Sequence, residues 1–343
     1  MSTPAPTTSQ TPPPAPRSAA PSAGQSSGQS SHRQRAINWI MNNGALVGLI
    51  VLCIALFIAT PHFLTVTNLI NVGVQAATVA ILAFGMTFVI VTAGIDLSVG
   101  AVAALSAMVS AHMWTNAGLP GWITLLFGLL TGFAAGALSG AATAYGKLPA
   151  FIATLAMMSI ARGATLVISQ GSPIATAPEV NWLGSSVGAF PIPIVMLLLA
   201  GVCCWFILSR TVLGRSMYAI GGNIEAARLS GLPVRRVLVA VYALSGTFAA
   251  LAGLVMAGRL SSAQPQAGVG YELDAIAAVV IGGASLAGGT GKATGTLVGA
   301  ILLAVIRNGL NLLNVSSFWQ QIVIGIVIAA AVGFDVLRKK TTT

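Results

Sequence analysis

Charge is what this chain lacks. Of its 343 residues only 6% are Asp, Glu, Lys or Arg, and only six are acids. A soluble domain carries about 25% charged residues, so this chain cannot cover a water-facing surface. Cysteine is scarce too: Cys53, Cys203 and Cys204 sit in apolar runs and read as small hydrophobes, not as metal or redox groups. There is no HExxH, no GxSxG and no acid pair with a base, so no catalytic set, metal site or cofactor is expected. His32, His62 and His112 stand alone and are expected to be satisfied by local contacts. The first 36 residues lack any large apolar side chain after Met1. Such a segment cannot bury enough surface to offset its ordering entropy and is expected to be a disordered tail. It also lacks the basic start and short apolar core of a signal peptide.

What is there is apolar: 56% of the chain is hydrophobic and the mean hydropathy is +0.89. Long uncharged runs read as membrane-crossing helices of roughly 20 residues, and they do not alternate as strands of a membrane barrel would. Runs fall at 39–59, 71–92, 97–116, 122–145, 151–169, 192–209, 237–257, 273–287, 294–312 and 318–337. The expectation is an all-α polytopic membrane protein of about ten helices.

The formal charge of +10 could suggest nucleic acid, but its placement argues for a membrane. Arg33 and Arg35 precede the first run, Arg338, Lys339 and Lys340 follow the last, and Arg210, Arg215, Arg228, Arg235 and Arg236 crowd one central loop. Lys and Arg mark cytoplasmic loops. With both termini inside, Lys147, the five-arginine loop, Lys292 and the C-terminal bases all fall inside. Glu179, in the loop 170–191, falls outside. Arg259 is the one loop base left outside, and Arg162 and Arg307 lie within runs.

Ten spans divide into two halves of five, and an odd number per half forces opposite orientations, as in inverted-repeat transporters. Spans three and eight correspond: "GIDLSVGA" (94–101) and "GYELDAIA" (270–277) both read Gly-x-acid-Leu with Ala four places later. A five-plus-five inverted repeat would leave this trace, and chance agreement at four positions is the alternative.

The central loop, about 210–236, reads "GRSMYAIGGNIEAARLSGLPVRRV". Asn223 is a good N-cap, Glu225 suits the positive end of a helix, and Gly231 followed by Pro233 suits its stop. A helix over Ile224 to Ser230 is expected, with Ala226, Ala227 and Leu229 available for contact. So short a helix needs something to dock on, either a partner or this protein's own spans. The stretch "IGGASLAGGTGKATG" (281–295) fails the phosphate-loop pattern at Leu286 and Ala293. Close helix packing is the better reading. In span nine, Asn308 and Asn311 share a face and could bond solute hydroxyls or neighbouring helices.

"GIDLSVGA", "PAFIATLAMMSIARG", "LGRSMYAIGGNIEAARLSG", "RLSSAQPQAGVGYELDAIAAVVIGGASLAGGTG" and "GLNLLNVSSFWQQIVIG" closely resemble the permease subunit of ribose-type ABC importers, from about residue 40 to 337. The resemblance implies a multi-pass subunit of a bacterial inner membrane. It also implies a second permease copy, a cytoplasmic ATPase and an extracytoplasmic sugar-binding protein. "EAARLSG" is similar to the loop that such permeases insert into the ATPase, which makes Gly222, Asn223, Glu225, Ala226, Ala227 and Gly231 the candidate coupling residues. Here Leu232 and Pro233 follow at once, nearer than in the broader ABC pattern. The chain then divides into a cytoplasmic tail (1–36), a permease domain (37–338) and a short C-terminal tail (339–343). An ion-driven secondary transporter is the alternative, and an intramembrane enzyme a lesser one.

Asp96 is the only charge between Arg35 and Lys147. In the ten-span reading it lies where the chain turns, with Gly94 and Gly100 permitting the break and Ser98 capping the helix that follows. A carboxylate there should face water or an Arg. It reads as a hinge near an inner gate, with a direct sugar ligand as the alternative.

Overall fold

The structure, a computed structural model, describes residues 44–340. In chain order its helices are α1 (Gly44–Ala59), α2 (Val66–Val91), α3 (Val99–Thr115), α4 (Gly121–Ala144), α5 (Ala150–Ser169), α6 (Pro178–Gly184) and α7 (Ile192–Arg210). They continue with α8 (Val212–Gly222), α9 (Ile224–Leu229), α10 (Val234–Leu260), α11 (Tyr271–Ile281), α12 (Ala293–Leu312) and α13 (Ser317–Lys340). Two small antiparallel pairs complete it: β1 (Ile174–Ala175) with β4 (Ser262–Ala263), and β2 (Ser186–Val187) with β3 (Phe190–Pro191). The tail expected at 1–36 lies outside the described residues.

Each of the ten apolar runs meets a helix, and six of these helices, α2, α4, α5, α7, α10 and α12, are long and apolar enough to cross a membrane. The eighth run departs most from expectation. It is helical only over the 11 residues of α11, about 16 Å at 1.5 Å per residue. Gly283, Gly288 and Gly289 take positive φ just beyond it, and residues 283–292 form a loop instead.

The core is built around α2, whose every residue from Ala76 to Val91 is buried. A helix apolar all round has no face to offer water, so it takes the centre. Beside it α4 and α10 meet along a glycine seam. A Cβ on Gly132 would strike the Gly246 carbonyl and one on Gly136 the Tyr242 carbonyl, so only small residues let these backbones approach. The Gly-rich stretch packs as expected, with Gly282 of the α11 end against the Gly295 backbone of α12.

The short helices α3 and α11 start against each other. A Cβ on Gly100, in the first turn of α3, would meet the Gly268 carbonyl and the Glu272 carboxylate. From there α3 climbs along α10, since Asp96 bonds Ser245 and Gly253 abuts the Ala103 carbonyl. α11 leads the other way, into a loop whose Gly289 donates to Val91 O at the end of α2. The two helices therefore run apart from a shared start.

Candidate functional site

At the α2 end, the central loop folds as two short helices. Thr211 caps α8 by accepting from Gly214 N. Asn223 caps α9, its Oδ1 accepting from Ala226 N at 3.0 Å. At the other end Leu232 N donates to Ala227 O and Gly231 N to Arg228 O, with Gly231 at φ 79°. These bonds satisfy the last carbonyls, and the left-handed position they require selects glycine. Glu225 pairs with Arg228 at 3.0 Å. Leu229 is 88% exposed and Ile224 41%, so α9 displays an apolar surface. Ala227, expected to be available, is instead buried, because it is the face by which α9 rests on its own protein.

Of the two adjacent glycines, Gly222 has open space around its Cα. Gly221 is the packed one: a Cβ there would meet Val91 O and Gly289 N. Sequence alone cannot rank the two glycines of "GGN". Tyr218 donates from its hydroxyl to Gly291 O at 2.7 Å, and burial pushes this phenol up from its ordinary value, keeping the donor protonated. α8 is thus joined to the end of α2 and to the 283–292 loop.

Asp96 is 1% exposed. Its Oδ1 accepts from Ser98 N at 2.9 Å and from Ser98 Oγ at 2.6 Å, and its Oδ2 accepts from Ser245 Oγ at 2.9 Å. The expected water or Arg is replaced by three donors and the positive end of α3. Ser98 holds the cap position without a capping bond, because its hydroxyl is used by Asp96. Nor do the glycines supply the break: Ala93 takes the positive φ, at 61°. Gly94 and Gly100 are small because neighbours crowd them, Tyr242 Oη at 2.6 Å from a Cβ at 94. Among the described residues that tyrosine hydroxyl is buried without a partner, as is His112 Nδ1, contrary to the local satisfaction expected of His112.

The start of α11 is looser. Glu272 Oε1 accepts from Gly270 N at 3.3 Å, while its Oε2 is buried with no partner among the described residues. Arg162 of α5 donates to Ala267 O at 2.7 Å. Asp274 accepts from Arg307 of α12 at 2.6 Å, with the arginine side chain 31% exposed. The pair opens onto a cavity of about 240 Å³ between α2, α10, α11 and α12. An Arg within an apolar run was the one sequence signal for this place.

Asn308 and Asn311 do not converge. Asn308 is buried and exchanges two hydrogen bonds with Asn68 of α2, at 2.8 and 3.0 Å. Asn311 is exposed and accepts from Gln320 of α13 at 2.7 Å. Both amides join helices, the second of the two roles that the sequence left open for them. Among the described residues no group of three His, Cys, Asp or Glu could hold a metal.

A family model described as branched-chain amino acid transport system / permease component matches residues 68–332. The ribose import permease protein of Escherichia coli K12 is 46% identical over 304 residues, 87% of this chain and 94% of that protein. The corresponding protein of Bacillus subtilis 168 is 47% identical over 303 residues, 87% and 93% of the two chains. The L-arabinose transport system permease protein of E. coli K12 is 38% identical over 304 residues, 87% and 91%. No solved structure matches the chain.

Proposed function

The chain belongs to the branched-chain amino acid transport system permease family, and from that premise we propose that it carries a monosaccharide inward as the membrane subunit of an ATP-driven importer. It is a multi-pass bacterial inner-membrane protein, a transport permease and not by itself an enzyme. The observation that carries the sugar reading is similarity over nearly the whole length of ribose import permeases, 46% against 38% for the arabinose relative. Ribose is therefore the first sugar to test.

The finer reading has about ten spans, both termini and α8–α9 in the cytoplasm, a tail at 1–36, a permease domain at 37–338 and a terminal segment at 339–343. Its partners are a separate ATPase, an extracytoplasmic sugar-binding protein, a second permease copy and lipid. The opposite course of α3 and α11 supports a five-plus-five inverted repeat.

In this reading α9 docks on the ATPase through Ile224 and Leu229, held in shape by Asn223, Glu225 and Gly231. Movement of α9 reaches α8, and from Gly221 and Tyr218 passes to the end of α2 and the 283–292 loop. Asp96 with Ser98 is the fixed point about which the inner gate turns.

Vesicles holding the permease, its ATPase and its binding protein should take up ribose with ATP inside, and continue when ion gradients are collapsed. Uptake that collapses with the gradient while ATP stays high would favour the secondary transporter. Gly221→Val should uncouple ATP hydrolysis from loaded binding protein, whereas Gly222→Val should not. Equal behaviour of the two would remove α8 from the coupling route.

A further inference from the structure

We infer that the rim where α4 ends and α10 begins binds the headgroup of an anionic phospholipid, whose acyl chains lie along the outward side of α4. The leaflet that supplies the lipid, the cytoplasmic one, rests on the topology proposed above, and the site itself does not.

The outward side of α4 meets lipid. Its glycine seam packs on α10, while Trp122, Leu126, Leu130, Phe133 and Leu138 are exposed. Trp122 stands in the first turn of α4 and the exposed Tyr145 just past its last residue. The two rings are about 35 Å apart along the axis, the roughly 30 Å of a hydrocarbon core and part of each interface. Trp and Tyr gather at those two levels, so this side faces lipid and not a second copy or the ATPase.

At the Tyr145 end the charge is all of one sign. Arg235, exposed in the first turn of α10, holds its guanidinium carbon 5.7 Å from the Tyr145 ring centre. An Arg over an aromatic face is held there by the ring quadrupole, which keeps a planar fork of donors at headgroup level. Lys147 joins it from the turn that ends α4. Leu148 N donates to Ala142 O at 3.3 Å, and Lys147 is exposed at φ 56°. A left-handed position favours Gly or Asn. Gly146 is the next residue, yet a lysine takes the strained place, and strain kept in this way points to a use for the side chain.

Neither α4 nor α10 contains an acid, and neither base forms an ion pair among the described residues. A phosphodiester satisfies both: the guanidinium binds two of its oxygens and the ammonium adds a point charge. The other arginine over a ring gives the contrast. Arg210 lies 5.6 Å from the Trp205 ring centre, but both belong to α7, so that pair is an arginine reaching from its own span to the interface.

The test titrates purified full-length permease in detergent with fluorescent phosphatidylglycerol and with phosphatidylcholine of the same chains. The ratio of the two affinities is the headgroup preference. Arg235→Gln and Lys147→Gln should each lower it about fivefold, and Arg210→Gln should leave it unchanged. Lys147→Gly relieves the backbone, so it should lower the preference as far and yet unfold no earlier than wild type in lipid-free detergent. Equal binding of the two lipids by wild type overturns the site. So does an equal loss in Arg210→Gln, which would assign the preference to the charge of the whole rim. Displacement of phosphatidylglycerol by inorganic phosphate at similar concentration overturns the lipid as its ligand. A cysteine at 147 labelled only from outside intact cells, with the affinities as expected, overturns the topology and not the site.

Discussion

The starts of α3 and α11 touch at Gly100 and Gly268 and carry acids at matching places, yet the two acids are held in opposite ways. Asp96 gives both oxygens to three donors and is sealed from solvent. Glu272 spends one oxygen on a long bond to Gly270 N and leaves the other unpaired, while Asp274 beside it borders a cavity. A fully satisfied buried network resists any change that opens it. Regions with spare polar groups and adjacent space open at lower cost. The difference teaches what holds each start: α3 is fastened to α10 through Ser245, whereas α11, whose far end leads into the loop that meets α8, is fastened to α12 through Asp274 and Arg307 and keeps an unmatched acid oxygen at its start.

The largest test removes the fastening. Asp96→Leu strands Ser98 N, Ser98 Oγ and Ser245 Oγ, and at ~1–3 kcal/mol for each buried unmet group the loss is on the order of 3 kcal/mol or more. Asp96→Asn keeps Oδ1 as acceptor for Ser98 and lets its amide donate to Ser245 Oγ, at a cost of about 1 kcal/mol. Thermal unfolding in detergent should rank them wild type, then Asn, then Leu by a wide margin. A Leu variant as stable as wild type would break the contrast at its fixed end.

Whether such partners can be read from sequence depends on how far apart they lie along the chain. Asn223, Gly231 and Pro233 are legible because helix caps are made by neighbours within a few residues. The apolar runs are legible because length and composition alone set them. Asp96 could be singled out, but Ser245 lies 149 residues away and nothing local points to it, so an Arg or water stood in its place. The partner of Asn308 was hidden for the same reason, Asn68 being 240 residues distant. The end of α11 was misplaced because Ala284 to Ala287 are apolar enough to extend a run that Gly282 and Gly283 interrupt. The cavity draws on four helices at once, a convergence no linear pattern records.

The next test presses on the joint itself. Gly100→Ala places a methyl where the Gly268 carbonyl and the Glu272 carboxylate already stand. Overpacking of this kind costs about 1–3 kcal/mol. Adding Glu272→Ala should recover part of the loss, because it withdraws the movable neighbour, and not all, because Gly268 O is backbone. Full recovery would mean that only the side chain of α11, and not its backbone, meets α3.

The smallest effect on stability is expected from Glu272→Gln. Oε1 is kept, so the bond from Gly270 N survives. At the other position an N–H₂ replaces an oxygen that has no partner. Gly268 O and Glu272 Oε2 both lie near the point that a Cβ on Gly100 would take, so the gain expected of the amide is a donor on the side where a backbone acceptor lies. Against this gain stands the lost attraction to the Arg162 guanidinium, and the balance should stay within about 1 kcal/mol of wild type. Transport is where the change should register. An unpaired carboxylate oxygen among apolar helices is costly to keep, and it is kept on a helix that borders a cavity, so uptake should slow while the protein unfolds at nearly its usual temperature. Asp96→Asn makes the opposite pairing, a measurable loss of stability from a charge that only fastens. Should Glu272→Gln lower stability and leave uptake untouched, Glu272 would be a fastening like Asp96, and the two helix starts would differ in nothing but solvent.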